Sequence, residues 1–286
     1  MKIRDFILSA FAVVAMVPCA LHADIVISNN FDDVADDVGP GFQLLDNAVG
    51  GNASSFDATT GVVSIAGGIL GNGQAATNAA GFNNDSLAPL AANVDSITAT
   101  FVIDSVDNVL NTRSNGFFIG LATGAGATDP SGAGLFNNTA ASVGLRFNSG
   151  NLPDTPLTLT QIITEGEAGG VTSLLDATVP TVASIEDGFT FVLTLNSDGT
   201  VDASTTGLST EIALTGGTLA DPSFADFLAD GVGVNSTFQG GDGGFTIGSV
   251  DVHAAVAVVA PPAIPEPSSL ALLGLASLGL VTRRRR

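Results

Sequence analysis

The stretch Phe189-Thr190-Phe191-Val192-Leu193-Thr194-Leu195-Asn196-Ser197-Asp198-Gly199-Thr200-Val201-Asp202-Ala203-Ser204 decides the fold. Large apolar side chains stand at 189, 191, 193 and 195, so one face repeats every second residue, as in a strand buried on one side. Asn-Ser-Asp-Gly interrupts the run, and a second alternation follows from Thr200. Asp198-Gly199 supplies the positive φ angles of a tight turn, so the segment predicts a β-hairpin.

Outward from this hairpin the same pattern recurs. It appears at residues 97–104 (ITATFVID), 116–122 (GFFIGLA), 142–147 (SVGLRF), 157–163 (LTLTQII) and 245–252 (FTIGSVDV). Clusters of Gly, Asn and Asp separate the runs, and no long helical period intervenes. An all-β fold follows, a single β-sandwich over residues 24–254. One segment departs from the pattern. Asp221 as N-cap, Pro222 at the first helical position and Gly231 beyond predict a short helix. Its Phe224, Phe227 and Leu228 share a face suited to packing on the sandwich.

The 286 residues carry a net charge of −20, from 28 acids against 8 cations. Six of those cations are terminal: Lys2, Arg4, Arg283, Arg284, Arg285 and Arg286. Residues 24–263 therefore hold only Arg113 and Arg146 against 26 acids, a net charge of −24. Such a body repels phosphate backbones and anionic lipid surfaces, which excludes nucleic acid as a partner. With 45% hydrophobic residues the chain can bury a core, which opposes intrinsic disorder. Abundant Asp with almost no Lys also suits saline water, where salt screens the self-repulsion.

The two ends read as sorting segments. Lys2 and Arg4 precede the apolar run 6–17 (FILSAFAVVAMV), then Pro18, Ala20 and Ala23. This is the layout of a secretory signal peptide over residues 1–23, cut by signal peptidase between Ala23 and Asp24, with a cut after Ala20 as the second option. A buried N-terminal helix is the competing reading. Cys19, the single cysteine, leaves with the signal, so the exported domain has no disulfide and depends on its apolar core. At the other end, residues 255–264 form a small-residue, proline-bearing linker. Pro265-Glu266-Pro267, the apolar run 268–282 and four arginines follow. As a helix the run covers roughly 22 Å, against ~30 Å of hydrocarbon, which makes a short transmembrane helix. The arginines hold its end in the cytoplasm and leave the body outside.

Pro265, Glu266 and Pro267, the short apolar helix and Arg283 to Arg286 resemble the PEP-CTERM sorting signal of bacterial exported proteins. The resemblance covers about the last 24 residues. It implies recognition by an exosortase, a membrane-embedded cysteine protease that cuts near the motif and releases or transfers the body to the outer surface. It also implies an association with exopolysaccharide and biofilm matrix. A permanent tail anchor is the alternative. The strand succession over 97–254 resembles the concanavalin A-like jelly roll of the laminin-G and legume-lectin type. The segments ITATFVID, SNGFFIGLAT, FTFVLTLNSDGTVDAS and GVGVNSTFQGGDGGFTIGSVDVHA carry it. That resemblance implies a long hairpin and a final strand returning to pair near the first.

Catalytic constellations are sparse. Glycoside hydrolysis needs two carboxylates flanking the sugar bond, and the jelly-roll resemblance implies them on one strand as Glu-x-Asp-x-Glu. The body's glutamates are Glu165, Glu167, Glu186 and Glu211, none in that setting. Glu165-Gly166-Glu167, followed by Ala168-Gly169-Gly170, reads as a solvated loop tip. Nucleophilic triads need His or Cys, and the body offers only His253, which reads as a strand-edge side chain. A zinc site fails for the same lack of ligands. Gly71-Asn72-Gly73 and residues 240–244 (GGDGG) lack the lysine of a phosphate loop and read as loops. Sugar stacking favours Trp and Tyr, which are absent. Phe82, Phe136 and Phe238 are the substitutes, although a core position explains each more simply.

Calcium is the best chemical candidate. Asp32, Asp33, Asp36 and Asp37 place four carboxylates in six residues, and a cation would relieve their repulsion. Asn83-Asn84-Asp85 and Asp242 read as further oxygen-rich loops. A solvated acidic loop explains the same residues more simply. The functional expectation is an exported cell-surface or extracellular-matrix protein with a structural or weak binding role, no catalysis and no required cofactor. Its partners would be signal peptidase, an exosortase-like enzyme and exopolysaccharide. A calcium-dependent, lectin-like carbohydrate-binding module and a polysaccharide-active enzyme are the alternatives.

Overall fold

In the computed structural model, fifteen strands and two short helices follow one another along the described residues: 23–32, 37–46, 54–65, 79–107, 112–124, 141–148, 157–166, 170–240 and 243–256. The first ten strands are β1 (Ala23–Asn29), β2 (Phe42–Asp46), β3 (Ser54–Asp57), β4 (Val62–Ile65), β5 (Ala79–Asn84), β6 (Val94–Asp107), β7 (Thr112–Thr123), β8 (Ala141–Asn148), β9 (Leu159–Glu165) and β10 (Val171–Ala177). Helix α1 (Val182–Glu186) leads to β11 (Phe189–Asn196), β12 (Thr200–Thr206) and β13 (Ala213–Thr218). Helix α2 (Phe224–Asp230), β14 (Gly233–Gly240) and β15 (Gly243–Val256) close the order.

The strands form two antiparallel sheets. One runs β13-β12-β11-β6-β15-β4-β3, with β1 also on β15; the other runs β10-β9-β8-β7-β14-β5-β2. Alternation drives the assignment: in β11 the buried residues are Phe189, Phe191, Leu193 and Leu195, with half-buried residues between them. Facing side chains of both sheets meet in one core. Phenylalanines join them: Phe117 to Phe245 at 5.1 Å, Phe147 to Phe189 at 5.6 Å and Phe82 to Phe245 at 6.0 Å between ring centroids. Fully buried Phe and Leu side chains each contribute about 1.5–3 kcal/mol. A cysteine-free sandwich can stand on that.

The predicted strands are all present, most of them with longer bounds. Residues 157 and 158 precede β9, so the fourth predicted run starts two residues late. β15 continues through Ala255 and Val256, so the start of the predicted linker is strand. The final strand returns to the first, with Ala23 opposite Ala255 and Asn29 opposite Val250. In the β11–β12 hairpin, Gly199 N–H donates to Asn196 O at 2.9 Å. Only Gly199, at φ +81°, takes a positive φ there. The loop is therefore a three-residue turn with one left-handed glycine rather than two positive-φ residues.

Helix α2 begins two residues later than the sequence suggested. Ser223, not Asp221, is its N-cap. The Asp226 carboxylate accepts from the Ser223 N–H at 2.7 Å and its hydroxyl at 2.8 Å, as in a capping box. Phe224 and Phe227 are buried and Leu228 packs against the core, as its face predicted.

Candidate functional site

The central strands of the seven-stranded sheet, β7, β8, β9 and β14, are largely buried on both faces. One face meets the other sheet. On the opposite face Phe118 and Ile163 form a second apolar cluster, separate from the main core. Strand register sorts this face into three rows. The middle row is Asn83, Asn235, Gly120, Gly144, Ile163 and Ser173. On one side lie Gly81, Thr237, Phe118, Arg146, Gln161 and Asp176; on the other lie Gly233, Ala122, Ser142, Glu165 and Val171. Neighbouring strands are about 4.8 Å apart and successive rows about 6.8 Å apart.

Two glycines open the centre. A Cβ on Gly144 would sit 2.3 Å from Ile119 O, 2.7 Å from Gly120 Cα and 2.8 Å from Phe118 Cζ. On Gly120 it would sit 2.2 Å from Val143 O. No side chain fits at either position, and the Phe118 ring edge reaches over Gly144.

Polar groups surround that ring. Asn235, Thr237, Ser142 and Glu165 are each at most 1% exposed. Asn235 Nδ2 and Oδ1, Thr237 Oγ1, Ser142 Oγ, Glu165 Oε2 and Arg146 Nε are buried without a hydrogen-bond partner. Each such atom costs about 1–3 kcal/mol, so folding alone gains nothing from the arrangement.

A relay leads from this strip to solvent. Arg146 Nη2 donates to Gln161 Oε1, and Gln161 Nε2 donates to Asp176 Oδ1. Ser173 Oγ also donates to Asp176 Oδ1, at 2.8 Å. Gln161 first and Ser173 second hold the Asp176 carboxyl below its ordinary range. Burial weakens the Arg146 guanidinium's hold on its proton, while the charges of Glu165 and Asp176 oppose that. Burial pushes the Glu165 carboxyl up to about 7, with Arg146 pulling the other way. Ser173 and Asp176 are exposed, Arg146 is half-buried, and Ser142 and Glu165 are buried.

Glu165 is a correction to the sequence reading. It closes β9 as a buried strand residue and is not a loop tip; Glu167 lies outside the described residues. The Gly-rich sequence after it suggested a turn, whereas the strand, buried at every position from Thr160, runs two residues beyond the predicted end at 163. Asn83 and Asn84 are likewise the buried end of β5 rather than a loop, and Asn84 Oδ1 accepts from Val234 N–H at 2.6 Å. Gly240 closes β14, and Gly243 and Gly244 open β15. Phe82 and Phe238 are fully buried in the inter-sheet core, where neither can stack on a ligand. His253 is no edge residue, because its strand is paired on both sides, with Thr98 and Ile25 opposite it. Phe118, Arg146, Asn235 and Thr237 carried no signal in the sequence beyond their place in strands.

Of the acidic quartet, Asp32 is exposed and Asp37 is half-buried, accepting from Asn29 Nδ2 at 2.9 Å. Asp33 and Asp36 lie outside the described residues, as do Phe136, Asp242 and residues 71–73. Among the described residues no three His, Cys, Asp or Glu come together to hold a metal. Ala23 and Asp24 begin β1. Pro265, Glu266, Pro267 and the four terminal arginines lie outside the described residues, with the predicted membrane helix. No helix among the described residues is long and apolar enough to cross a membrane.

Comparison with known families matches residues 263–286 to the PEP-CTERM protein-sorting motif. This chain carries an exosortase sorting signal. The motif implies export and exosortase processing, and with the fold it makes the chain an exported β-sandwich protein. No curated protein sequence matches the chain. Solved structures share its architecture. Arcelin-5, a lectin-like defense protein from Phaseolus vulgaris, is similar at TM-score 0.51 and 9% identity, over 80% of this chain and 98% of that one. Lectin I-B4 from Griffonia simplicifolia, in a metal-free form, gives 0.51 and 13%, over 80% and 99%. Lectin II from Ulex europaeus gives 0.50 and 15%, over 82% and 100%. At these identities the likeness is one of fold, the legume-lectin jelly roll.

Proposed function

We propose that this PEP-CTERM protein is a non-catalytic component of the cell surface or extracellular matrix, with a structural role and a capacity to bind matrix glycan. The observation that supports the binding role is the jelly-roll architecture shared with arcelin-5, lectin I-B4 and lectin II. Glu165 is buried, at 1% exposed, which keeps its carboxyl away from a substrate, and Asp176 is engaged by Gln161 and Ser173. The mature body is exported through signal peptidase, anchored transiently at its C-terminal helix and then handed over by an exosortase-type enzyme.

Intact mass of the protein recovered from the cell surface tests the location, because it reports both cuts at once. A chain starting at Asp24 and ending near Glu266 is expected. A full-length chain found in the cytosol refutes the export reading. Incubation with matrix polysaccharide tests the role: no release of reducing sugar is expected, and sustained release makes the protein an enzyme.

A further inference from the structure

We propose that a cleft on the outer face of the eight-stranded sheet, between β11, β12 and β13, binds a small alkylammonium ion, with the Asp202 carboxylate as its anchor and the Thr194, Ser204 and Thr215 hydroxyls beside it. The cleft lies on the other sheet from the buried strip described above, and it does not depend on the glycan-binding role.

A bulge shapes the cleft. Val201 pairs with Gly217 and Ala203 with Leu214, so Thr215 and Gly216 on β13 together face Asp202 on β12. Gly216 lies at φ +68°, the left-handed conformation that a glycine bulge uses. Such an insertion bends its strand and re-aims the side chains around it. Beside it lies a cleft of about 250 Å³, whose walls include Val192, Thr194, Asp202, Ser204, Ala213 and Thr215. Strand pairing sets Asp202 opposite Thr194 and Ser204 opposite Val192. The alternate residues Leu193, Val201 and Ala203 are buried, which leaves those four on the solvent side. Asp202 is half-buried, and Ser204 and Thr215 are exposed, so a solute can reach them.

The chemistry of the walls selects the ligand. The Asp202 carboxylate accepts from Asn196 Nδ2 at 3.0 Å and from the Gly216 N–H at 2.8 Å. Both donors are uncharged, so the carboxylate is held in place without being neutralised, and each oxygen keeps a further lone pair. An ammonium head supplies the missing charge together with three donors, one for the carboxylate and the others for the hydroxyls. Val192 and Ala213 give an alkyl chain an apolar wall. An anion is repelled by a body of net charge −24, which concentrates organic cations instead. A hard metal ion such as calcium takes about 6–8 oxygen ligands, and a single carboxylate among hydroxyls falls short of that. Among the described residues no three His, Cys, Asp or Glu gather here or elsewhere. At ~30 Å³ for each water-sized group, the space holds roughly eight heavy atoms, which matches an alkyl diamine of about four to six carbons.

The test is a titration of the isotope-labelled mature protein followed by amide NMR, in about 0.5 M sodium chloride so that the diffuse field of the acidic body is screened. Putrescine and butylamine are the probes, and butanol is the uncharged counterpart. Both amines should shift the amides of β11, β12 and β13 with a dissociation constant on the order of 1 mM, and butanol should shift none. Asp202→Asn removes the charge and keeps the shape; Ser204→Leu fills the cleft and leaves Asp202 in place. Each should weaken binding tenfold or more. Asp32→Asn, the same charge change at an exposed position after β1, should leave binding as it is. Binding that survives Ser204→Leu overturns the cleft, even where Asp202→Asn fails to fold. Equal losses in Asp202→Asn and Asp32→Asn overturn it in favour of diffuse attraction. Butanol binding as well as butylamine overturns the ammonium. Tighter binding of acetyl-lysine methylamide than of either amine overturns the free amine as the source and assigns the cleft to a lysine side chain. Absence of any shift with the amines overturns the proposal, and the export reading stands on its mass measurement.

Discussion

Replacing Glu165 by glutamine should stabilise the protein at high pH and leave it unchanged at low pH. In the folded state this carboxyl is held at about 7 against an ordinary 4.5, chiefly because its charged form is desolvated among buried neighbours. A group whose folded pKa is raised contributes its full stability below the unfolded value, and loses it as pH climbs through the folded value. Below pH 4 both proteins carry a neutral side chain and should melt together. Between pH 4.5 and 7 the wild type falls progressively behind, and above pH 8 the difference is constant. Its size is about 3 kcal/mol at 1.36 kcal/mol per pH unit, or about 6–12 °C in Tm for a domain of this size. The assay is calorimetry of Glu165→Gln and wild type side by side from pH 4 to 9. The whole-molecule repulsion at 28 acids changes with pH too, but it is shared by both proteins and cancels in the difference. A gap that does not vary with pH, or a variant less stable than wild type at pH 8, would refute the burial of an uncompensated carboxyl at this position.

Three further outcomes follow from the packing. Gly144→Ala drives a Cβ against Ile119 O at 2.3 Å and Gly120 Cα at 2.7 Å, backbone atoms that cannot yield. It should cost about 1–3 kcal/mol in urea denaturation, and a neutral result would show that β7 and β8 are further apart. Phe101→Ala removes a fully buried ring stacked 5.7 Å from Phe191; a loss of about 3–5 kcal/mol is expected, and less than 1 would place Phe101 outside the core. Asp226→Ala deletes the acceptor of both Ser223 bonds at the start of α2, which should lower stability by about 1 kcal/mol as read from the shift in urea midpoint.

The architecture was largely legible from the sequence because burial in a sandwich imposes a two-residue period that survives in the letters. FTFVLTLN and ITATFVID state which side chains face inward, and the structure buries those residues. Register is a different matter. Nothing in the sequence places Arg146 opposite Gln161, or Asn235 opposite Gly120. These pairings join segments between 15 and 115 residues apart, and the candidate site exists only through them. Local composition also misled where two signals competed. Glu-Gly-Glu-Ala-Gly-Gly looks like a turn, yet Glu165 still belongs to the ladder with Ser142 and Val171. Asp221-Pro222 looks like a helix start, yet the reciprocal pair Ser223 and Asp226 captured the cap.

The position of β15 has a consequence for manufacture. This strand hydrogen-bonds with β1, β4 and β6, so the middle of its sheet is supplied by the final segment of the domain, ending at Val256. A chain made from its N-terminus cannot close this sheet until that segment has been made; early strands wait for a partner more than two hundred residues behind them. Any product broken off before Gly243 leaves a gap in the centre rather than a frayed border, and stays open to proteolysis. The sorting motif begins at residue 263, a few residues beyond the strand that completes the sheet. Folding therefore works as a length inspection: a closed sandwich certifies that translation has arrived at the threshold of the tag that addresses it.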